Sequence, residues 1–180
     1  MLEDKLLIRQ FKQGSEDAFA RIYEKYSSHL LTVATGLLND VSAAEDLVHS
    51  VFVSFAEGIS GFKLIGSLKG YLAICTVNRA RNVIKAKRKS TVSLDEGQQV
   101  ACRISGPKAS AMLAEDMQRI NGALAEIPYE QREVVTLHLK AGMKFREIAK
   151  LQNGSVNTIQ SRYRYGLEKL RSLLDDEVAK

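Results

Sequence analysis

Tryptophan is absent from this 180-residue chain, and proline, cysteine and long apolar runs are scarce. The two prolines, Pro107 and Pro128, fall between helical patterns and interrupt neither. The two cysteines, Cys75 and Cys102, lie outside any CxxC or Cys/His spacing, which argues against a zinc site or a disulfide framework. No apolar run approaches the roughly 20 residues that span a bilayer, and the charged N-terminus lacks the apolar core of a signal peptide. We therefore expect a cytoplasmic protein without membrane insertion.

Signatures of catalysis and of metal binding are missing as well. The three histidines, His29, His49 and His138, fall in separate helical patterns, and none is followed by a carboxylate three or four residues later, as in a metal motif. The chain also lacks the GxxxxGK[ST] motif that holds phosphates in nucleotide-binding proteins. The sequence therefore predicts no enzymatic activity, no cofactor and no metal site.

Charge is distributed unevenly along the chain, although the formal net charge is only +5. No lysine or arginine occurs between Tyr26 and Phe62, which is consistent with a protein-binding face or with an ordinary amphipathic helix. By contrast, residues 79–89 contain six basic side chains and no acid. Such a concentration of positive charge favours contact with nucleic acid.

Apolar residues recur at steps of three and four nearly everywhere, which predicts an all-α protein. Leu6, Leu7 and Phe11 mark a short first helix, and the second helix is expected to bury a stripe that includes Tyr23. Ser42 and Glu45 have the spacing of a capping box at the start of the third helix. Three glycines between residues 58 and 67 predict a loop with unusual backbone angles. A fourth helix, from Leu68 to about Lys89, carries the basic cluster.

Composition divides the chain into two helical domains joined by a flexible linker. Residues 90–110 are rich in serine, glycine and charges of both signs, without a sustained period. The predicted domains are residues 1–89 and 111–176. In the second, the short helix 145–151, the turn at Asn153 and Gly154 and a polar, basic helix from Ser155 predict a helix-turn-helix, whose second helix enters the DNA major groove.

Two blocks of sequence resemble the extracytoplasmic-function (ECF) group of the sigma-70 family of bacterial transcription initiation factors. Residues 17–89, with the motifs at 44–52 and 71–82, are similar to region 2, and residues 127–134 and 158–162 are similar to region 4. The chain departs from the family pattern at His49 and Ser50, where Gln-Glu is usual, and at Gln160, where a basic residue is common. Gln152 places an amide where apolar packing is expected, which predicts a weakened or bent motif.

The resemblance implies a sigma factor that binds core RNA polymerase through its β′ clamp helices and β flap. Region 4 would recognise the −35 element, with glutamine and arginine contacting base edges and Lys144 contacting phosphate. Region 2 would open the −10 element and hold a flipped base near its glycine loop. The expected −35 residues are Ser155, Asn157, Thr158, Gln160, Ser161, Arg162, Arg164 and Tyr165. The expected −10 residues are Lys63, Ser67, Asn78, Arg79, Arg81, Lys85, Lys87 and Arg88. The expected polymerase-binding residues are Asp46, His49, Ser50 and Val53.

Family membership further implies promoter DNA as a partner and an anti-sigma factor or another regulator. Two alternatives stay open on the sequence alone. One is a free-standing helix-turn-helix regulator that binds its operator without polymerase. The other is a partner-binding, sigma-like protein that lacks promoter activity, to which the departures at residues 49, 50 and 152 give some weight.

Overall fold

A computed structural model describes residues 2–91, the N-terminal half, and 108–178, the C-terminal half. Within these residues the chain forms eight α-helices and one 3-10 turn, and no strand. This confirms the predicted all-α fold with two helical domains. The helices are α1 (Leu2–Lys12), α2 (Glu16–Leu38), α3 (Val41–Glu57), α4 (Leu68–Thr91), α5 (Lys108–Ala125), α6 (Tyr129–Leu139), α7 (Phe145–Leu151) and α8 (Val156–Val178).

The core of the N-terminal half follows the predicted apolar stripes on α2, α3 and α4. On α3 the apolar spacing predicts six inward-facing residues, and all six are buried, namely Ala44, Leu47, Val48, Val51, Phe52 and Phe55. One residue expected in the core, Tyr23, is instead 41% exposed. Helix α1 turns its Asp4, Leu7 and Ile8 side inward because the Asp4 carboxylate accepts a hydrogen bond from the Tyr26 hydroxyl at 2.7 Å.

Helix ends and loop geometry differ from the sequence prediction in two places. The capping box at Ser42 is wrong, because Asp40 caps α3 and accepts from the amide of Ala43 at 3.0 Å. A carboxylate is a strong cap, so the helix begins earlier than expected, at Val41. In the loop before α4, Gly66 adopts a positive φ of 85°, whereas Gly58 has a φ of −85° and precedes a 3-10 turn.

The segment predicted as a linker, residues 90–110, has helical residues at both ends. Helix α4 continues through Thr91, and α5 begins at Lys108. The predicted flexibility of the rest, including the region of Cys102 and Pro107, lies outside the described residues. The domain boundaries at residues 89 and 111 stay predictions.

The two halves pack against each other and share one apolar cluster, which the sequence did not predict. Val134, Leu137 and Ile148 of the C-terminal half are buried together with core residues of α2, α3 and α4. Gly36 of α2 allows a close approach to α6. A Cβ atom at that position would lie 3.0 Å from Nζ of Lys140 and 3.2 Å from Cγ2 of Thr136. The absence of a side chain at residue 36 thus sets the spacing between the halves.

Candidate nucleic-acid and partner interfaces

The second helix of the helix-turn-helix, α8, presents the predicted polar face to the outside. Ser155 caps it, because its Oγ accepts from the amide of Thr158 at 3.0 Å. Ile159 faces inward and is fully buried, which orients the helix. The residues predicted to contact bases line one shallow recess, namely Asn157, Gln160, Ser161 and Arg164. Their common orientation is that of a groove-facing helix surface.

Tyr165 extends this surface next to Arg164. Tyr165 is 52% exposed, and the Arg164 guanidinium lies 5.1 Å from the centre of its ring. Stacking on the ring restricts the rotamers of Arg164 and holds the guanidinium on the exposed side. Thr158 and Lys144 are also exposed. Arg162, in contrast, is half-buried and turns toward the preceding helix.

The turn of the motif accommodates both Asn153 and Gln152. Asn153 adopts a φ of 51°, a left-handed conformation that asparagine tolerates, and the amide of Gly154 donates to the Ala149 carbonyl at 2.9 Å. The amide side chain of Gln152 is hydrogen-bonded at both ends. Its Nε2 donates to Glu133 at 3.1 Å, and its Oε1 accepts from Nη1 of Arg162 at 2.6 Å. Gln152 therefore replaces apolar packing with polar contacts that hold α6, the turn and α8 together.

A cleft of about 220 Å³ opens between α3 and α4 next to the predicted −10 residues. Asn78 is exposed at its edge, and the Tyr71 ring forms part of its wall. Tyr71 packs on Phe62 and Phe55, with ring centres 4.8 and 6.3 Å apart, respectively. Burial raises the pKa of the Tyr71 hydroxyl, so the ring stays neutral at physiological pH. In such a cleft the aromatic ring can stack on a nucleobase, and the exposed amide beside it can form hydrogen bonds with the edge of that nucleobase.

The sequence analysis missed this aromatic cluster. Its members are separated along the chain, and no local spacing marks them as neighbours. The signal available was the placement of Phe62 inside the glycine loop and of Tyr71 early in α4. Both flank the predicted basic surface, and aromatic residues interleaved with lysine and arginine are typical of proteins that bind single-stranded nucleic acid.

The remaining −10 candidates occupy different environments. Lys63 and Ser67 are exposed in the loop, where the Ser67 hydroxyl accepts from the amide of Gly70 at 3.1 Å. Arg79 donates to the Ser54 hydroxyl on α3. Lys85 and Lys87 are exposed on α4, and Lys87 lies 3.3 Å from the Asp40 carboxylate. The hydrogen bond from the Ala43 amide, aided by Lys87, lowers the pKa of Asp40. The side chain of Arg88 lies outside those that the structure describes.

Arg81 differs from its neighbours because it contacts the C-terminal half. Its Nε donates to the Glu133 carboxylate at 3.1 Å, and its Nη2 donates to the other carboxylate oxygen. Nη1 reaches the Leu151 carbonyl at 3.4 Å. The hydrogen bond with Glu133 raises the pKa of Arg81, and the Glu133 side chain is only 3% exposed. This two-point contact joins α4 to α6 across the interface between the halves.

The predicted polymerase-binding residues share one side of α3. Asp46, His49 and Val53 are exposed, and Val53 is 41% exposed. The Ser50 hydroxyl donates to the Leu47 carbonyl at 2.7 Å, so it is satisfied within its own helix. The surface thus combines one acid, one imidazole and one exposed apolar side chain, opposite the buried side of the helix.

Within residues 2–91 and 108–178, no cluster of histidine, cysteine or carboxylate side chains has the arrangement of a metal site. In the same part of the chain, none of the helices combines the length and apolar character needed to cross a bilayer.

Family models match both halves of the chain. The model of Sigma-70 region 2 matches residues 22–90, and that of Sigma-70 region 4 matches residues 117–170. Two curated relatives align over nearly the whole chain. The ECF RNA polymerase sigma factor SigW of Bacillus subtilis is 25% identical, over 96% of this chain and 97% of its own length. The ECF RNA polymerase sigma-E factor of Escherichia coli is 23% identical, over 98% and 95%.

The same fold occurs in solved structures. The sigma factor RpoE from Bartonella quintana, solved in complex with the anti-sigma factor NepR, superposes with a TM-score of 0.69 at 21% identity. That match covers 89% of this chain and 98% of RpoE. CnrH, solved in complex with the cytosolic domain of CnrY, gives a TM-score of 0.68 at 20% identity and covers 97% and 98%.

Proposed function

We propose which surface of this chain performs each step of promoter recognition. The chain is a member of the ECF group of the sigma-70 family and is thus a promoter-directing subunit of RNA polymerase. The C-terminal half would recognise the −35 element, and the N-terminal half would open the −10 element and bind core polymerase. The observation that carries this division is that the groove-facing side of α8 and the aromatic cleft between α3 and α4 belong to different halves. We further propose that it catalyses no reaction of its own and acts in the cytoplasm.

Duplex recognition would use the recess on α8. Gln160 can make a bidentate pair with adenine and Arg164 with guanine, and each such pair contributes roughly 1–3 kcal/mol of discrimination between bases. Asn157 and Ser161 complete the same recess. Ser155, Thr158 and Tyr165 are exposed on the same helix or at its start, and Lys144 is exposed at the start of α7. Their contacts to phosphates would position the helix without specifying sequence.

Strand opening would use the cleft between α3 and α4. A base that leaves the duplex loses its stacking partner, and the ring of Tyr71, backed by Phe62, offers a replacement. Asn78 at the cleft edge can bond the polar edge of that base. Lys63, Lys85 and Lys87 are exposed nearby, where their charges would neutralise the backbone of the displaced strand.

Polymerase would bind the exposed side of α3, with Asp46, His49 and Val53 on the β′ clamp helices, and the C-terminal half would meet the β flap. The N-terminal half also carries the basic end of α4. The β′ clamp helices on α3 and the non-template strand on α4 would therefore lie on adjacent surfaces of this half. The solved relative RpoE was crystallised with the anti-sigma factor NepR. We propose a regulator of this kind for the present chain as well.

The decisive test is transcription by core RNA polymerase supplied with this protein on a genomic promoter library. We expect discrete start sites that share two upstream motifs. Binding to core without any start site would favour the partner-binding alternative. Tight, sequence-specific DNA binding without core, combined with no transcription, would favour the free-standing regulator.

The role of α8 predicts the effect of two single substitutions. Gln160→Ala and Arg164→Ala should each reduce transcription from a library-derived promoter about tenfold, since each removes one base contact of roughly 1–3 kcal/mol. Each variant should also lose its preference at one position of the −35 motif. Single-round transcription on a set of single-base promoter variants measures both effects.

Lys169→Ala provides the matched control, because Lys169 is exposed farther along the same helix. It should transcribe like the wild type on all promoter variants. If Gln160→Ala lowered transcription equally on every promoter variant, the side chain would be positioning the helix rather than specifying a base.

A further inference from the structure

The last residue of α1 contacts the loop that leads into the cleft between α3 and α4. Nζ of Lys12 donates to the Phe62 carbonyl at 2.6 Å and to the Ser60 carbonyl at 3.3 Å, 50 and 48 positions farther along the chain. The 3-10 turn Ile59–Gly61 ends at Phe62, and carbonyls at the end of a helical turn lack partners within it. One ammonium group thus binds two carbonyls, one on either side of Gly61.

The residue before Lys12 reaches the same cleft through aromatic rings. The ring centre of Phe11 lies 6.3 Å from that of Phe55 on α3. Phe55 in turn packs edge-to-face on Phe62 at 5.2 Å, and Phe62 backs Tyr71 in the wall of the cleft. Aromatic pairs at such separations attract each other beyond the effect of the area that they bury. Helix α1 therefore supports the cleft twice, through the backbone of the loop and through the ring of Phe11.

Helix α1 is itself held firmly, which gives Lys12 a defined position. Leu7 and Ile8 are 1% and 6% exposed and belong to the apolar core. Asp4 is 5% exposed, and its carboxylate accepts from the Tyr26 hydroxyl and from Nζ of Lys25 at 3.0 Å. A buried carboxylate is stable only while such partners stay in place, so these contacts fix the helix at its first turn. Its last residue can then hold a loop in one position.

A lysine near a surface that binds nucleic acid is usually a contact to phosphate. At Lys12 the geometry favours a different role, because an ammonium group has three donors and two of them are directed at carbonyls. Helix α1 also precedes residues 22–90, the segment that matches Sigma-70 region 2. The contact from Lys12 thus joins the cleft to a part of the chain outside that segment.

We propose that Lys12 is a positioning residue for strand opening, which holds the loop so that Phe62 stays behind Tyr71 and the cleft is ready to accept a base. This role rests on the proposed function of the cleft, whereas the anchoring of the loop does not. Without the ammonium group, the carbonyls of Ser60 and Phe62 would turn to water, and Phe62 would leave its place behind Tyr71. Capture of a base would then also have to order the loop, a cost that the anchored loop avoids.

Amide hydrogen exchange on the full chain tests the anchor without DNA or polymerase. The Phe62 amide donates to the Ile59 carbonyl at 3.2 Å, so its exchange rate reports opening of the turn. Lys12→Met should raise this rate about tenfold, because the turn loses its hydrogen bonds to a charged group. Lys12→Arg should keep the protection, since a guanidinium group also donates to carbonyls.

Lys5→Met is the matched control, since Lys5 is exposed on the same helix and the substitution removes the same charge. Its Phe62 amide should exchange like that of the wild type. Circular dichroism should show equal helix content in all of these proteins, because Lys12 is also exposed. Equal exchange rates in Lys12→Met and Lys5→Met would overturn the anchor.

Promoter opening by core polymerase supplied with each variant tests the consequence for function. Rates of open-complex formation over a range of protein concentrations separate initial promoter binding from the opening step. Lys12→Met should slow the opening step about tenfold and leave initial binding unchanged, because only base capture depends on the loop. Lys12→Arg should restore the wild-type rate, and Lys5→Met should match it.

Two results would contradict the positioning role. Fast exchange in Lys12→Met combined with promoter opening at the wild-type rate would show that order in the loop does not matter for base capture. Weaker initial binding on every promoter, with a salt slope reduced by about one, would identify Lys12 as a phosphate contact. If the wild type gives no start sites, the proposed function fails, and the exchange rates still decide whether Lys12 anchors the loop.

Discussion

Gly166→Leu should lower the free energy of unfolding by about 3 kcal/mol, the upper end of the cost of overpacking a core. Gly166 is buried where α8 crosses α6. A Cβ atom there would lie 2.8 Å from Cγ2 of Val135 and 3.3 Å from Cβ of Gln131. Val135 is 2% exposed and branched at Cβ, so it cannot turn away. The recognition helix would have to move off α6.

Urea denaturation followed by circular dichroism measures this loss, and Gly122→Leu is the matched control. Gly122 also lies within a helix, but it is exposed, and a Cβ atom there meets nothing within 4 Å. Leucine is the better helix former by roughly 0.8–1 kcal/mol, so the control should be slightly stabilised. Equal effects at both positions would show that α8 is not closely packed on α6.

The second large effect concerns Lys140, whose ammonium group is enclosed between the halves. Its Nζ donates to Oδ1 of Asn121 at 2.8 Å, and burial lowers its pKa from 10.5 to about 8. At pH values between these two pKa values, Lys140 keeps its proton in the unfolded chain and loses it in the folded protein. Stability therefore rises with pH through this window, by up to about 1.4 kcal/mol per pH unit.

Between pH 7.5 and 9.5 the wild type should gain about 2 kcal/mol relative to Lys140→Met, which cannot titrate at this position. Urea denaturation of both proteins at the two pH values gives the difference directly, and it cancels the titration of all other groups. Lys169→Met, at an exposed position on α8, should follow the wild type. Parallel pH profiles for wild type and Lys140→Met would mean that Lys140 is hydrated in the folded protein.

Local patterns were sufficient to predict the helices and the faces of α3 and α8. Apolar spacing of three and four residues places a stripe on one side of a helix, so burial of Phe52 and exposure of Gln160 follow from the same periodicity. The prediction failed where a carboxylate controlled the geometry. Asp40, rather than Ser42, set the start of α3.

Contacts between distant residues could not be predicted from spacing. Arg81 and Glu133 are 52 positions apart, and each has an ordinary local interpretation as a charge on a helix. The polar partners of Gln152 were likewise invisible, because the sequence shows an amide in place of apolar packing without showing what it bonds. Periodicity therefore missed the polar contacts that join the two halves and those that hold α6 to the turn of the motif.

Gly36 gives the packing of the two halves a steric control that is independent of charge. Its missing side chain lets α2 approach Lys140 and Thr136, and nothing that contacts DNA or polymerase in the proposed function lies at this position. A larger residue at 36 would act as a wedge whose size, from alanine to valine to leucine, grades how far the halves are held apart. The contact between the halves could then be adjusted by side-chain volume at one site, while the proposed DNA-binding and polymerase-binding surfaces stay unaltered.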